Sequence, residues 1–305
     1  MLDIRRILFP TDFSDRAQAA LPMALRLAEL HRAELHFLHV VNPGGDEPSD
    51  VPMPFPGESQ ASATLDAADG SSDQTSVTRH VTKGRDPGVA ILEFARDLDV
   101  DLIVIGSHGR RGFQLWNMGS VAEEVLRFAG RPVLVVRSGE DGQETPATGR
   151  ILVPIDFSDA THGLLNHATE LARTMGASLE LLHVIEMPIY PDFYVANLAL
   201  PENRRAALDR LKRLAEDLNT DPPVETTIRH GRIPHEIAEY AEEHGHDLIV
   251  MASHGLTGVR RVLLGSATEG VARHAPCPVF VIKEAGKELV PEAIGVVGSS
   301  AALKE

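Results

Sequence analysis

The run Ile7-Leu8-Phe9-Pro10-Thr11-Asp12-Phe13-Ser14-Asp15 returns 144 residues later (151 − 7) as Ile151-Leu152-Val153-Pro154-Ile155-Asp156-Phe157-Ser158-Asp159. Leu38-His39-Val40 and Leu182-His183-Val184 follow at the same offset. Asp101-Leu102-Ile103-Val104 then pairs with Asp247-Leu248-Ile249-Val250, and Gly109, Gly119 and Ser120 with Gly255, Gly265 and Ser266, at an offset of 146 (247 − 101). A period this long exceeds any solenoid unit and matches a whole domain. A chain of 305 residues has room for two such domains, each able to bury its own core. The expected division is a first domain over residues 1–138, a linker over 139–149, a second domain over 150–285 and a mobile tail over 286–305.

Each copy opens with a short apolar strand that ends at Pro and Asp, followed by an amphipathic helical pattern and a second strand, Glu34 to Val41 or Ser178 to Ile185. A third strand is expected near 77–82 and 224–229, and a fourth at 102–105 and 248–251. Helices intervene, and Val133–Val136 and Val279–Ile282 close the two copies. Pro22 falls inside the first helical pattern and should kink it or delay its start. Near-continuous apolar strands alternating with helices specify an α/β fold, a parallel sheet covered on both faces. Ligands of such sheets bind beyond the carboxyl ends of the strands. Asp12 and Asp156 fall there, just past the first strand, and so do the glycine loops, just past the fourth. The copies diverge between second and third strands. The second has a clear helix over 201–218, whereas residues 42–76 hold five prolines and predict a loop with at most a short helix near 61–68.

The net charge of −15 argues against a nucleic-acid binder, which would gather basic residues on one face. No apolar run reaches the roughly 18 residues of a membrane span. The start Met1-Leu2-Asp3-Ile4-Arg5-Arg6 runs straight into a strand, so no signal peptide is expected. The single cysteine, Cys277, excludes an internal disulfide and fits a reducing compartment. The expected location is the cytoplasm.

Gly106-Ser107-His108-Gly109, nine residues, then Gly119-Ser120-Val121-Ala122-Glu123 carries the strongest chemical signal. Glycines let backbone N–H groups approach a ligand, and the closing Gly-Ser opens a helix whose unpaired N–H groups favour an anion. Ser120 to Glu123 and Ser266 to Glu269 also fit a capping box, in which each serine only stabilises a helix start. The spacing alone leaves both readings open.

Pro-Thr-Asp after a strand, Leu-His-Val on the second strand, Gly-x-x-Gly-nine-Gly-Ser and a final Arg-Pro-Val-Leu-Val-Val together resemble the universal stress protein family. The resemblance covers about nine-tenths of the chain. It implies two tandem Rossmann-like (adenine nucleotide alpha hydrolase-like) domains, each a five-stranded parallel sheet of order 3-2-1-4-5. It implies ATP, with Mg, as ligand, and pairing through the last strand. In the first copy, Asp12 would reach the ribose or adenine, Val40 would line the adenine slot, and Pro10 and Thr11 would belong to the same binding set. Gly106, Gly109, Gly119 and Ser120 would wrap ribose and phosphates, with Val121 beside them in the binding set. The equivalents are Pro154, Asp156, Val184, Ala252, Gly255, Gly265 and Ser266. Ala252 departs from the motif's first glycine, which makes the first site the better match. The two domains are expected to pack as an intramolecular pseudo-dimer, and two such chains can pair further.

Other chemistries fit less well. There is no Gly-x-x-x-x-Gly-Lys-Ser/Thr run, hence no P-loop. Ser107-His108 and Ser253-His254 are adjacent pairs without a nucleophile elbow. His36 and His39 lie three apart on a strand and cannot chelate one metal, and the histidines show no zinc spacing. His39 and His183 read as satisfied sheet histidines. The expectation is a stress-response protein that binds adenine nucleotide. The alternatives are a slow ATPase or adenylyl-transfer enzyme, for which no base and nucleophile are paired by sequence, and a nucleotide-free scaffold.

Overall fold

The computed structural model describes residues 2–42, 52, 54–59, 76–107, 118–137, 149–186, 200–253, 264–283 and 289. The first copy runs β1 (Arg6–Pro10), α1 (Asp15–Gln18), α2 (Leu21–His31), β2 (Glu34–Val41), β3 (Val77–Lys83), α3 (Pro87–Asp97), β4 (Leu102–Gly106), α4 (Ser120–Phe128) and β5 (Val133–Val136). The second runs β6 (Arg150–Pro154), α5 (Thr161–Met175), β7 (Ser178–Glu186), α6 (Leu200–Asp217), β8 (Glu225–Gly231), α7 (Ile233–Glu243), β9 (Leu248–Ala252), α8 (Ser266–His274) and β10 (Val279–Ile282). Pro22 acts as expected. The helix breaks after Gln18, and α2 restarts with the proline in its first turn, where a missing N–H costs no intrahelical bond. The short helix expected near 61–68 lies outside the described residues.

Each copy has strand order 3-2-1-4-5, as expected, and the two sheets meet through their last strands. They fuse into one ten-stranded sheet of order β3-β2-β1-β4-β5-β10-β9-β6-β7-β8. The joint is antiparallel, with Val133, Leu134 and Val135 opposite Val281, Phe280 and Val279. Both strands are fully apolar and short, and an unpaired apolar edge is costly to leave in water. Pairing the edges removes that exposure and makes one layer of the two copies.

The repeated residues have repeated structural work. Asp101, buried just before β4, accepts hydrogen bonds at 2.7 and 2.8 Å from the N–H groups of Arg5 and Arg6. Asp247 does the same for Gly149 and Arg150 at 2.8 and 3.0 Å. Each carboxylate thereby ties the first strand of its copy to the fourth. Leu289, in the stretch expected to be a mobile tail, is fully buried; its carbonyl accepts from the N–H of Asp3 at 2.7 Å, and its own N–H donates to His167 Nε2 at 3.3 Å.

Candidate functional site

The turns after β1 and β6 are built alike, and the Leu-His-Val motif explains why. His39 Nδ1 donates to the carbonyl of Thr11 at 2.8 Å, and His183 Nδ1 donates to that of Ile155 at 2.7 Å. Each histidine pins the residue before the motif aspartate. His183 is held below the usual imidazole range, first by burial. Phe13 and Phe157 then adopt left-handed backbone, with φ of 62° and 61°, a conformation that costs free energy for a bulky residue. The ring of Phe13 stacks on His39 at 4.4 Å between centroids. Asp12 accepts from the N–H of Ser14 at 3.1 Å and Asp156 from that of Ser158 at 3.0 Å, so both carboxylates are fixed by local turns at the strand ends.

The glycine loops are anchored at both ends. The N–H of Gly119 donates to Ser107 O at 2.7 Å, and the N–H of Gly265 to Ser253 O at 2.8 Å. The fourth strand of each copy is thus brought beside the start of its last helix. Neither helix start is a capping box. The N-caps are Gly119 and Gly265, without side-chain cap bonds, and Ser120 and Ser266 are the first helical residues, one position too late to cap. Neither serine satisfies the free N–H groups of its helix start in the way a cap would. Gly109 and Gly255 lie outside the described residues.

In the second copy, Pro154, Asp156, Val184, Ala252, Gly265 and Ser266 all line one cleft of about 1220 Å³. It extends past Ser158 and Thr161 on one side and past Arg232, Pro234 and Gly270 on the other. That volume accommodates a nucleotide-sized ligand, since small-molecule pockets run at about 300–1,000 Å³. In the first copy, Pro10, Thr11, Asp12, Val40, Gly106, Gly119, Ser120 and Val121 occupy the matching places, at the ends of β1, β2 and β4 and the start of α4. There α1 sits close on the strand ends. A Cβ on Gly106 would lie 2.9 Å from Arg16 O and 3.0 Å from Ala17 Cα. The first copy has a smaller cavity of about 350 Å³ between α3 and α4, lined by Val89, Leu92, Glu124 and Phe128 among others, and none of the motif residues borders it.

Sequence reasoning missed Ser158, Thr161, Arg232 and Gly270. Ser158 is repeated as Ser14 in the opening run but carried no site signal there, and the counterparts of the other three, Ala17, Asp86 and Glu124, are different residue types, so the repeat does not point to them.

The universal stress protein family profile matches residues 3–137 and again 148–283. A universal stress protein of Mycolicibacterium smegmatis is 27% identical over 301 residues, spanning 91% of this chain and 96% of its own length. One from Methanocaldococcus jannaschii is 32% identical over 160 residues, half of this chain and 90% of the relative. The crystal structure of a universal stress protein from Archaeoglobus fulgidus superposes with a TM-score of 0.66 at 24% identity, covering 91% of this chain and 98% of that one, a likeness of fold.

Proposed function

The chain belongs to the universal stress protein family, and from that premise we propose that it binds an adenine nucleotide, ATP with Mg, at its glycine-loop crevice and acts as a stress-response regulator. The observation that carries this reading is the cleft of about 1220 Å³ on which six motif residues of the second copy converge. Asp156, fixed by its turn, would take the ribose or adenine, and Val184 would form the apolar wall. Gly265 and Ser266 would offer the free N–H groups of the α8 start to phosphates. The joined sheets support a second part of the proposal, that the copies form an intramolecular pseudo-dimer through β5 and β10. The reading is one of binding, with the cytoplasm as the expected setting. Among the described residues, no helix is long and apolar enough to cross a membrane.

Thermal unfolding of the purified protein with and without Mg-ATP tests the proposal. At one hundred times the dissociation constant, a ligand stabilises its domain by about 2.7 kcal/mol, which moves the midpoint by several degrees. Asp156→Ala should shrink that shift. An unchanged midpoint at millimolar Mg-ATP would reject nucleotide binding.

A further inference from the structure

The two crevices share a motif, yet their polar groups are satisfied in different ways. In the first, Ser14 Oγ donates to Asp12 Oδ1 at 2.6 Å and accepts from the N–H of Ala17 at 3.2 Å, capping α1. Thr11 Oγ1 accepts from the N–H of Phe13 at 3.0 Å and from Gln18 Nε2 at 3.2 Å. The first crevice thus uses its own hydroxyls internally. In the second, Ser158 Oγ and Thr161 Oγ1 are buried and have no hydrogen-bond partner, and both residues line the cleft. Thr161 is only 4% exposed. A buried hydroxyl without a partner is costly, so two at the wall of one cleft mark a place where a ligand or its water completes the bonding.

Space and charge differ in the same sense. In the first copy a Cβ on Gly88 would collide with the side chain of Glu124, which therefore covers the start of α3. The second copy reverses the pair: Pro234 stands where Gly88 is and Gly270 where Glu124 is, and both border the cleft. Glu124 also lies beside Asp86, and burial together with that carboxylate raises it above the usual range. Position 86 is occupied in the second copy by Arg232, exposed on the cleft wall. The second cleft thus holds a cation where the first copy has an acid, and although Asp156, Glu186, Glu239 and Glu242 also border it, Arg232 is the group there that a phosphate would meet favourably.

We propose that the chain carries one high-affinity nucleotide site, in the second crevice, where the Ser158 and Thr161 hydroxyls bind the ligand and Gly270 leaves it room, while the first crevice, its hydroxyls satisfied within the chain, is a structural copy. This rests on the nucleotide reading above. It reverses the order of the two sites that their motifs suggest.

Isothermal titration of the full chain with Mg-ATP should give one site per chain. Thr161→Val removes the hydroxyl and keeps the shape. It should weaken binding roughly three- to tenfold, the worth of one hydrogen bond, while the unliganded midpoint holds or rises. Arg232→Asp, an exposed change that imitates the first copy, should also weaken binding without altering the fold. Two sites per chain, or undiminished affinity in both variants, would overturn the single-site proposal while leaving nucleotide binding intact. No binding by the unaltered chain would instead remove the nucleotide reading and this proposal with it.

Discussion

Gly106 has no room for a methyl group, and Ala252 at the matching position carries one. The difference lies in how closely α1 approaches the end of β4, with Arg16 O and Ala17 Cα within about a Cβ contact of the glycine. Gly106→Ala should therefore cost about 1–3 kcal/mol, the usual penalty of forcing atoms into a filled space. Ala252→Gly should cost about 0.5–1 kcal/mol, the entropic difference alone. Chemical denaturation of the two variants checks this asymmetry. Cys277 allows a second prediction at this scale. It is buried, and burial pushes its thiol up to about 12. A thiol reagent at neutral pH should label it only at the rate at which the protein opens. Sequence alone exposes the importance of Gly106 but not its reason. The motif offers it as a ligand contact, whereas the nearest atoms belong to a helix of the same copy, brought there by the fold.

At the scale of elements, the same sheet position carries two different solutions to a buried polar group. On β2, His36 Nδ1 lies 3.2 Å from His80 Nε2 on β3. On β7, Glu180 sits at the equivalent place, accepting from Tyr240 at 2.5 Å, Thr227 at 2.9 Å, His246 at 3.1 Å and Arg150 at 3.2 Å. Burial pulls the Glu180 carboxyl upward, but its donors, His246 first, outweigh this and hold it at about 2. Tyr240 is pushed up to about 12 by burial and by that carboxylate. A carboxyl held below its ordinary value of 4.5 stabilises the fold above that pH. The contribution fades as pH falls from 4.5 toward 2. Glu180→Gln should lower stability at neutral pH by about 1–3 kcal/mol and flatten the acid limb across that interval, read from unfolding midpoints at stepped pH. Strands and helices were legible because their apolar periods are strong, and Val133–Val136 and Val279–Ile282 hold their expected bounds. This network was not legible, because Glu180's donors lie 30 to 66 residues from it and only the packing of strands and α7 brings them together. The capping-box serines failed for a local reason: a glycine can begin a helix just as well, and a one-residue slip turns a cap into a first-turn residue.

For the whole molecule, the joint between copies is reciprocal. Glu123 and Arg127 on α4 face Glu269 and Arg273 on α8; Arg127 reaches Glu123 at 3.0 Å and Glu269 at 3.1 Å, and Arg273 reaches both at 2.8 Å. Beyond the sheet, Arg137 donates to the carbonyls of Arg273 and Ala275, at the end of α8. Lys283, its counterpart, donates to Leu126 O near the end of α4, and burial draws its ammonium down to about 8. Cations at helix C-termini are favourable, and here each copy supplies the other's. Arg273→Glu would gather three carboxylates around Arg127 and should lower the unfolding midpoint by several degrees, with Glu123→Arg in the same chain restoring part of the loss. The repeat made two domains legible and their last strands marked the joint, but the single continuous sheet depends on an antiparallel pairing that no motif announces. The difference between the crevices was equally hidden, since it lies in Glu124 against Gly270 and in how the hydroxyls beside the motif aspartates are satisfied. The most direct test is a crystal structure of the chain grown with Mg-ATP. Nucleotide is expected in the second crevice alone, against Val184, the start of α8 and the Ser158 and Thr161 hydroxyls. Nucleotide in the first crevice, or in neither at saturating concentration, would contradict that expectation.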